Sequence, residues 1–317
     1  MAIYLSEEDV AALVTMDDAL AVVERAHRAH ALGKAVDLPR QRTRLPGVQL
    51  HILQGGLPGE GVLGCKVYTS TRAGARFLLH LYSTDDGRLL TVIAADRLGR
   101  LRTGAAAGIA AKYLAREDAA ILALIGAGRQ AEAQLDALTT VRCIKEVRLY
   151  CRDADQRRAR AADFRRLSGA SVRPMDSAQA AVEGANIVVT ITTSSSPVLL
   201  GEWLTPGMHI SAAGSNALAR RELDETAVRR ADLIVVDSRD VALREAGDLW
   251  PAIEKGHLPE RQLVELGELV AGLRPGRTQE DQITLFESQG MAVQDLALAA
   301  LVYRRACDAG RGVPLPF

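Results

Sequence analysis

Residues 119–131, Ala-Ala-Ile-Leu-Ala-Leu-Ile-Gly-Ala-Gly-Arg-Gln-Ala, constrain this chain more than any other stretch. An apolar run rich in Ile, Leu and Ala stops at Gly126-Ala127-Gly128 and gives way to Arg129-Gln130-Ala131-Glu132-Ala133, residues that favour a helix. The order reads strand, tight turn, helix. The glycines let the backbone turn sharply and approach a pyrophosphate, while Ala131, where many such motifs have a third glycine, still lets the helix pack close on the strand. Unpaired N–H groups and the helix dipole then favour phosphate at the helix N-terminus. Glycine pairs punctuate many loops, so it is the strand before and the helix after that make this a dinucleotide site rather than a plain turn. Gly126, Ala127, Gly128, Arg129 and Gln130 are the first cofactor-binding candidates.

The 317 residues are enough for two domains with a sizeable core. Lys plus Arg balances Asp plus Glu at 39 each, so no global charge points to nucleic acid or an anionic membrane. No apolar run reaches the length of a membrane span, and Met-Ala-Ile-Tyr-Leu-Ser-Glu-Glu-Asp-Val lacks a signal-peptide pattern, so a cytoplasmic protein is expected. Cys65, Cys143, Cys151 and Cys307 are scattered without a CxxC pair, which argues against a metal site or a disulfide framework. His27 and His30 fall at helical spacing in an Ala-rich segment and read as solvent-facing.

Along the chain, Ser6 and then Thr15 precede acidic residues and apolar periodicity, which predicts two helices before residue 34, the second beginning at Met16. Residues 38–57 and 62–70 read as antiparallel strands, and 77–82 with 88–94 as a hairpin around Thr84-Asp85-Asp86-Gly87. Residues 101–114 read as an Ala-rich helix suited to tight packing. Beyond the glycine turn, strands at 146–150, 171–174, 187–191, 208–212, 233–236 and 283–286 alternate with helical segments, which predicts a parallel sheet covered by helices. The expected fold is α/β, with a Rossmann-type parallel-sheet domain at 118–290 and an α+β domain at 1–117 that the C-terminal helix, 291–317, completes.

In dinucleotide folds the second strand ends in an acid about 20 positions past the glycines, where it holds the ribose hydroxyl of NAD. That place reads Tyr150-Cys151-Arg152-Asp153. Cys151 cannot accept a ribose hydrogen bond as a carboxylate does, and Arg152 suits the 2′-phosphate of NADP. NADP(H) is therefore expected ahead of NAD(H), unless Asp153 supplies the acid and Arg152 is only a solvated helix-start residue.

The order and spacing of several stretches resemble the ornithine cyclodeaminase/mu-crystallin family, which includes an archaeal type of alanine dehydrogenase and several imine or ketimine reductases. They are Leu38-Pro39-Arg40, Gly64-Cys65-Lys66, Leu101-Arg102-Thr103-Gly104-Ala105, the 126–131 turn, Gly201-Glu202-Trp203, Met208-His209-Ile210 with Gly214 and Glu222-Leu223-Asp224, Leu266-Gly267-Glu268, and Ser288-Gln289-Gly290 followed by Met291-Ala292 and Asp295. The resemblance implies a homodimer whose first domain binds substrate and dimerises, a second domain that holds NAD(H) or NADP(H), and redox chemistry at the α-carbon of an amino acid through an imine. The residues make chemical sense of that. Arg102 offers a bidentate donor fork to an α-carboxylate. Arg40 matches a second cationic substrate contact, but Arg42 and Arg44 share its strand parity, and either Arg40 or Arg42 can take that role. Lys66 is out of place in an apolar strand unless it faces a cavity, where burial lowers its pKa and fits it to exchange a proton with the substrate nitrogen; the plain alternative is an edge lysine that discourages strand pairing. By the same resemblance His51 is a substrate-contacting candidate, Thr190, Thr192 and Gly290 shape the nicotinamide side, and Asn216 lies near the reacting carbon.

The departures from the family pattern also carry information. Where the cyclodeaminases have an aspartate after the turn at Gly214, this chain has Asn216, which cannot act as a base. The loss argues against ornithine cyclisation and toward hydride transfer to or from a C=N bond, unless Asp237 or Glu245 substitutes. Leu53-Gln54 and Thr69-Ser70-Thr71-Arg72 also depart from the cyclodeaminase pattern, and Arg72 with Arg76 leaves room for a second substrate carboxylate. The reading is an NAD(P)H-dependent imine reductase or amino-acid dehydrogenase acting on a small imino or amino acid, with Lys66, Arg102 and Asn216 as catalytic candidates. Ornithine cyclodeaminase is the alternative within the family, and a binding protein like mu-crystallin the alternative outside catalysis.

Overall fold

Two capping boxes begin the chain. The computed structural model describes residues 1–316 and opens with β1 (Ile3–Leu5), α1 (Glu7–Leu13) and α2 (Met16–Ala31). The Ser6 hydroxyl accepts from the Asp9 N–H while the Asp9 carboxylate accepts from the Ser6 N–H, and Thr15 with Asp18 repeats the exchange. Each box satisfies helix-start amides that have no partner within the helix. The strands β2 (Val36–Leu45), β3 (Val48–Leu57), β4 (Val62–Thr71), β5 (Gly74–Ser83) and β6 (Leu89–Ala94) then pair antiparallel, neighbour to neighbour. β1 adds to β6 in parallel and Val313–Pro314 adds to β1, completing a seven-stranded sheet.

The C-terminal helix, Ala292–Asp308, packs on one face of this sheet and against α2. On that face Leu53, Leu57, Leu79, Leu81 and Ile93 are buried. By register, Val36, Leu38, Leu45, Leu63 and Leu78 all point to the opposite face and are exposed. His27, read from its spacing as solvent-facing, is fully buried on α2, its Nε2 3.0 Å from Gln294 Nε2. A helix packed on that side turns a polar residue inward and must satisfy it there.

Helix α3 (Asp96–Leu114) starts five residues before the expected 101. Its opening amides, at Asp96 and Arg97, are taken by the two carboxylate oxygens of Glu7 at 2.7 and 2.8 Å. A cap supplied from so far back in the chain leaves no local sign. The chain divides into two compact units, Met1–Arg102 with residues 290–316 and Thr103–Gln289. The division thus falls inside α3 and not at 117–118. From Thr103 onward α3 belongs to the second unit, where a Cβ on Gly104 would overlap the Ala133 carbonyl.

The second unit holds β7 (Ile121–Ile125), β8 (Glu146–Tyr150), β9 (Ser171–Pro174), β10 (Ile187–Thr190), β11 (His209–Ala212), β12 (Leu233–Val236), β13 (Val264–Glu265) and β14 (Thr284–Glu287). All pair in parallel, in the order β13-β12-β14-β11-β10-β7-β8-β9. Helices α4 (Ala131–Val141) and α5 (Ala154–Ser168) follow β7 and β8. One apolar cluster joins Leu122, Leu124, Leu135, Leu138, Val147 and Phe164, and a second joins Ile125, Val188, Ile210, Val236 and Leu285. A sheet covered on both faces demands such uninterrupted apolar strands. This is the Rossmann-type α/β architecture. Among the described residues no helix is long and apolar enough to cross a membrane.

Because Gly104 meets a backbone oxygen that has little freedom to move, Gly104→Ala is expected to destabilise the chain by about 1–3 kcal/mol through overpacking. Urea unfolding reads this directly, and an unchanged midpoint would refute the close α3–α4 approach.

Candidate active site

In the first unit, Lys66 on β4, Arg102 on α3 and Asp295 on the C-terminal helix form one buried group. Lys66 Nζ donates to Asp295 Oδ2 at 2.6 Å, and Arg102 Nε donates to Asp295 Oδ1 at 3.0 Å. One carboxylate therefore spends an oxygen on each cation. Lys66 is 3% exposed, and burial, reinforced by the nearby Arg102 charge, pushes its amine down to about 7 against the pull of Asp295. Such an amine is divided between its charged and neutral forms near neutral pH, as a proton-exchanging group should be.

Arg102 is held further by Gln294, whose Oε1 accepts from Nη1 at 2.9 Å and from the Met291 N–H at 3.3 Å. These contacts use Nε and Nη1. Gly290 closes the other side: its φ is +85°, and a Cβ there would overlap Nη1. The need for glycine at 290 thus arises from the arginine in its own unit.

His51 lies opposite Tyr68 on the same sheet face as Lys66, its ring stacked at 4.2 Å on that of Tyr68, and its Nε2 is 2.9 Å from the Ser70 hydroxyl. Burial and the charges of Arg42, Arg40 and Arg44 push its pKa down to about 4, so it is a neutral hydrogen-bonding group. Between Leu38 and Gln41 the register with β3 shifts, which sets Pro39 and Arg40 in a bulge, and Arg42 pairs with His51. Arg40 is buried, Arg42 half-buried and Arg44 exposed. Arg72 is not brought to this group: it is exposed in the β4–β5 turn, six residues past Lys66, or about 20 Å along an extended strand.

In the second unit the glycine turn fits a dinucleotide. Gly126 has φ +116°, and a Cβ would lie 2.5 Å from the Ile191 carbonyl oxygen, whereas a Cβ on Gly128 would have no neighbour within 4 Å. Ala127 is buried and Arg129 exposed. No side chain caps the N-terminus of α4, and Gln130 Oε1 is buried without a hydrogen-bond partner among the described residues. An open cradle before uncapped helix amides is the chemistry a pyrophosphate requires. Arg152 is exposed just past β8, and Asp153 is engaged as the N-cap of α5, accepting from the Asp155 and Gln156 N–H groups. Thr190, the last residue of β10, is fully buried, with no partner for its hydroxyl among the described residues. Thr192 and Asn216, both half-buried, lie in the segments that follow β10 and β11.

Asp295 and Gln294 were not assigned roles from the sequence. A lone acid inside Ala-Val-Gln-Asp-Leu-Ala-Leu-Ala-Ala-Leu-Val was the available sign, since a charge on a helix so apolar is unexpected without a buried partner. Among the described residues no group of three or more His, Cys, Asp or Glu is arranged to hold a metal.

A glycine cradle at the end of a parallel strand, in a chain that also buries a lysine, an arginine and an aspartate together, defines a nucleotide-binding α/β protein of the dehydrogenase type. The model of the ornithine cyclodeaminase/mu-crystallin family matches residues 2–310, and the chain belongs to that family. It is 35% identical to the alanine dehydrogenase of Archaeoglobus fulgidus, over 99% of this chain and 98% of that one. The structure of Thermococcus litoralis Δ1-pyrroline-2-carboxylate reductase with NADH and L-proline is similar at a TM-score of 0.95 and 32% identity, covering 99% of this chain and 100% of the other. An archaeal alanine dehydrogenase dimer with bound NAD is similar at a TM-score of 0.94 and 34% identity, covering 100% and 99%.

Asp295→Asn removes the one carboxylate that Lys66 and Arg102 share, and breaking a buried pair of this kind costs about 3–5 kcal/mol. The loss should be larger at pH 6 than at pH 9. Without Asp295 the lysine pKa falls further, so only below about 7, where native Lys66 still binds its proton, do the two chains differ in the lysine's contribution. Denaturant unfolding at the two pH values checks it, and equal losses would show that Lys66 does not titrate there.

Proposed function

We propose that this chain is an NAD(P)H-dependent oxidoreductase that interconverts an α-imino acid and the corresponding α-amino acid, as an imine reductase or an amino-acid dehydrogenase. The observation that carries the reading is the buried Lys66–Asp295–Arg102 group, with its amine poised at about 7. The relatives' reductase and dehydrogenase activities support it.

Arg102, fixed by Asp295, Gln294 and Gly290, binds the substrate α-carboxylate, with Arg40 as the second cation and Arg42 as its alternative. Lys66 Nζ holds the proton that the imine nitrogen takes up on reduction and receives it back in the oxidative direction. Asp295 keeps the amine aimed, and His51 contacts the substrate as a neutral group. Asn216 offers an amide hydrogen bond where the cyclodeaminases have an acid. In the second unit Gly126, Ala127, Gly128, Arg129 and Gln130 receive the pyrophosphate, and Thr190 and Thr192 border the nicotinamide. The nicotinamide, when bound, supplies or accepts the hydride. Arg152 favours NADP(H) over NAD(H), since its neighbour Asp153 is committed to the α5 cap.

A second copy of this chain covers the open face of the seven-stranded sheet. An antiparallel sheet with a free face normally makes that face polar, and here Val36, Leu38, Leu45, Leu63 and Leu78 are exposed on it together. Leu63→Glu combined with Leu78→Glu is expected to give a monomer in sedimentation where the native chain is a dimer. Dimers from both chains would assign the contact elsewhere.

The direct test is oxidation of NADPH and NADH by the purified chain with pyruvate or glyoxylate plus ammonia or methylamine, with oxaloacetate plus ammonia, and with pyrroline-2-carboxylate and piperideine-2-carboxylate. Ornithine with NAD⁺ is the control. Reduced cofactor should be consumed with at least one imine, faster with NADPH. Lys66→Met should lower turnover by about 10²–10⁴-fold with cofactor affinity unchanged. Because the lysine must be protonated to serve reduction, the reductive rate should fall as pH rises through about 7, and the oxidative rate should rise. Proline formed from ornithine, with every imine inert, would replace this reading with the cyclodeaminase one.

A further inference from the structure

The second unit buries three carboxyl groups that the proposed chemistry does not use. Glu222 and Glu287 are fully buried, and Asp248 is 1% exposed. Glu222 Oε1 accepts from the Thr192 N–H at 2.6 Å, and Oε2 accepts from the Gly214 N–H at 2.7 Å. Asp248 Oδ1 accepts from the N–H groups of Glu222 and Leu223 at 2.6 and 2.7 Å, which fixes the backbone from which Glu222 reaches out. Glu287, the last residue of β14, accepts from Gln289 Nε2 at 2.8 Å and interacts with Asp248. Burial raises the Glu222 carboxyl to about 7 and holds Glu287 well above the usual range, so the cluster retains protons that solvated acids would have lost.

What Glu222 holds is specific. Thr192 follows β10 and Gly214 follows β11, so one carboxylate ties together the backbones that leave two adjacent parallel strands at their C-terminal ends. A ligand of such a sheet lies outside those ends. The glycine turn after β7 takes the pyrophosphate, and β8, with Arg152 past its end, lies on the adenosine side; β10 and β11 are on the other side of β7. The nicotinamide half therefore extends over the two segments that Glu222 ties. Gly214 is packed so closely that a Cβ would overlap the Thr192 carbonyl oxygen and the Glu222 carboxyl carbon, so glycine at 214 is what lets the two segments approach.

We infer that Glu222 is a positioning residue for the nicotinamide half of the cofactor, holding the segments after β10 and β11 at a fixed separation through their two N–H groups. The inference rests on the nicotinamide-cofactor reading. Glu222→Gln is the informative change, because an amide has one accepting oxygen: one of the two N–H groups then faces an NH2 donor, while size is conserved.

Affinities would be measured by calorimetry for a whole dinucleotide and for its fragment without nicotinamide: NADPH with 2′-phospho-ADP-ribose, or NADH with ADP-ribose, whichever pair the native chain binds more tightly. Glu222→Gln should weaken the dinucleotide tenfold or more and leave the fragment within twofold. Equal weakening of both would mean a general structural role and overturn the inference, as would no change in either. Amide exchange on the native chain is a second measurement that needs no folded variant. Residues 192–194 and 213–215 should gain protection with the dinucleotide and not with the fragment, and equal protection with both overturns the inference. A native chain that binds neither ligand would remove the cofactor reading itself.

Discussion

A single buried carboxylate organises the first unit. Asp295 is bonded to Lys66, 229 positions earlier in the chain, and to Arg102, 193 positions earlier. Two cations and one anion in a dry interior leave an excess of positive charge. Burial lowers the proton affinity of the lysine, and the neighbouring guanidinium, which cannot give up its own proton, adds to the effect. The geometry that fixes the arginine thus also tunes the amine. Gln294 extends the arrangement to His27: with Oε1 occupied by Arg102 and Met291, its amide nitrogen faces the His27 ring, which must accept there. This orientation of the imidazole and amide satisfies the contacts of Gln294 with Arg102, Met291 and His27 together.

The second unit handles charge in the opposite way. Two of its buried acids are drawn onto backbone amides: Glu222 and Asp248 together accept from four N–H groups. Bonds of this kind fix loop backbone more rigidly than a flexible ion pair, because the donors are part of the chain they hold. The arginines of this unit meet the same logic from the other side. Arg277 donates to the carbonyls of Leu114, Gly207 and Met208, and Arg142 donates to those of Ala111, Ala115 and Arg116 at the end of α3. Buried charge here is spent on main-chain geometry.

Much of this was legible from the residues, where the controlling interactions are local. Ser6 with Asp9 and Thr15 with Asp18 announce their helices within one turn, and β8 and β12 fall on the residues their apolar patterns indicate. The Rossmann-type sheet and the family follow from the same kind of short-range pattern. What was not legible depends on partners remote in sequence. The start of α3 is set by Glu7, the burial of His27 by Gln294, and the division of the chain by packing at Gly104. Strand parity grouped Arg40, Arg42 and Arg44, and the bulge at Pro39 and Arg40 then separated their burial. Glu222, Asp248 and Glu287 lie far apart in the sequence, and only the folded chain shows them assembled.

The first unit is discontinuous: its hairpins precede the whole second unit, whereas the helix that covers them follows it. Domains tend to fold as units while they emerge from the ribosome. The inserted unit has every strand it needs once Gln289 is out, but the hairpins cannot bury Leu53, Leu79 and Leu81 until Ala292–Asp308 follows. Synthesis order and folding order are therefore inverted, and the oldest part of the nascent chain is the last to settle. A chain that lacked Ala292–Asp308 would present a finished nucleotide fold tethered to an open apolar sheet, the kind of surface that chaperones bind.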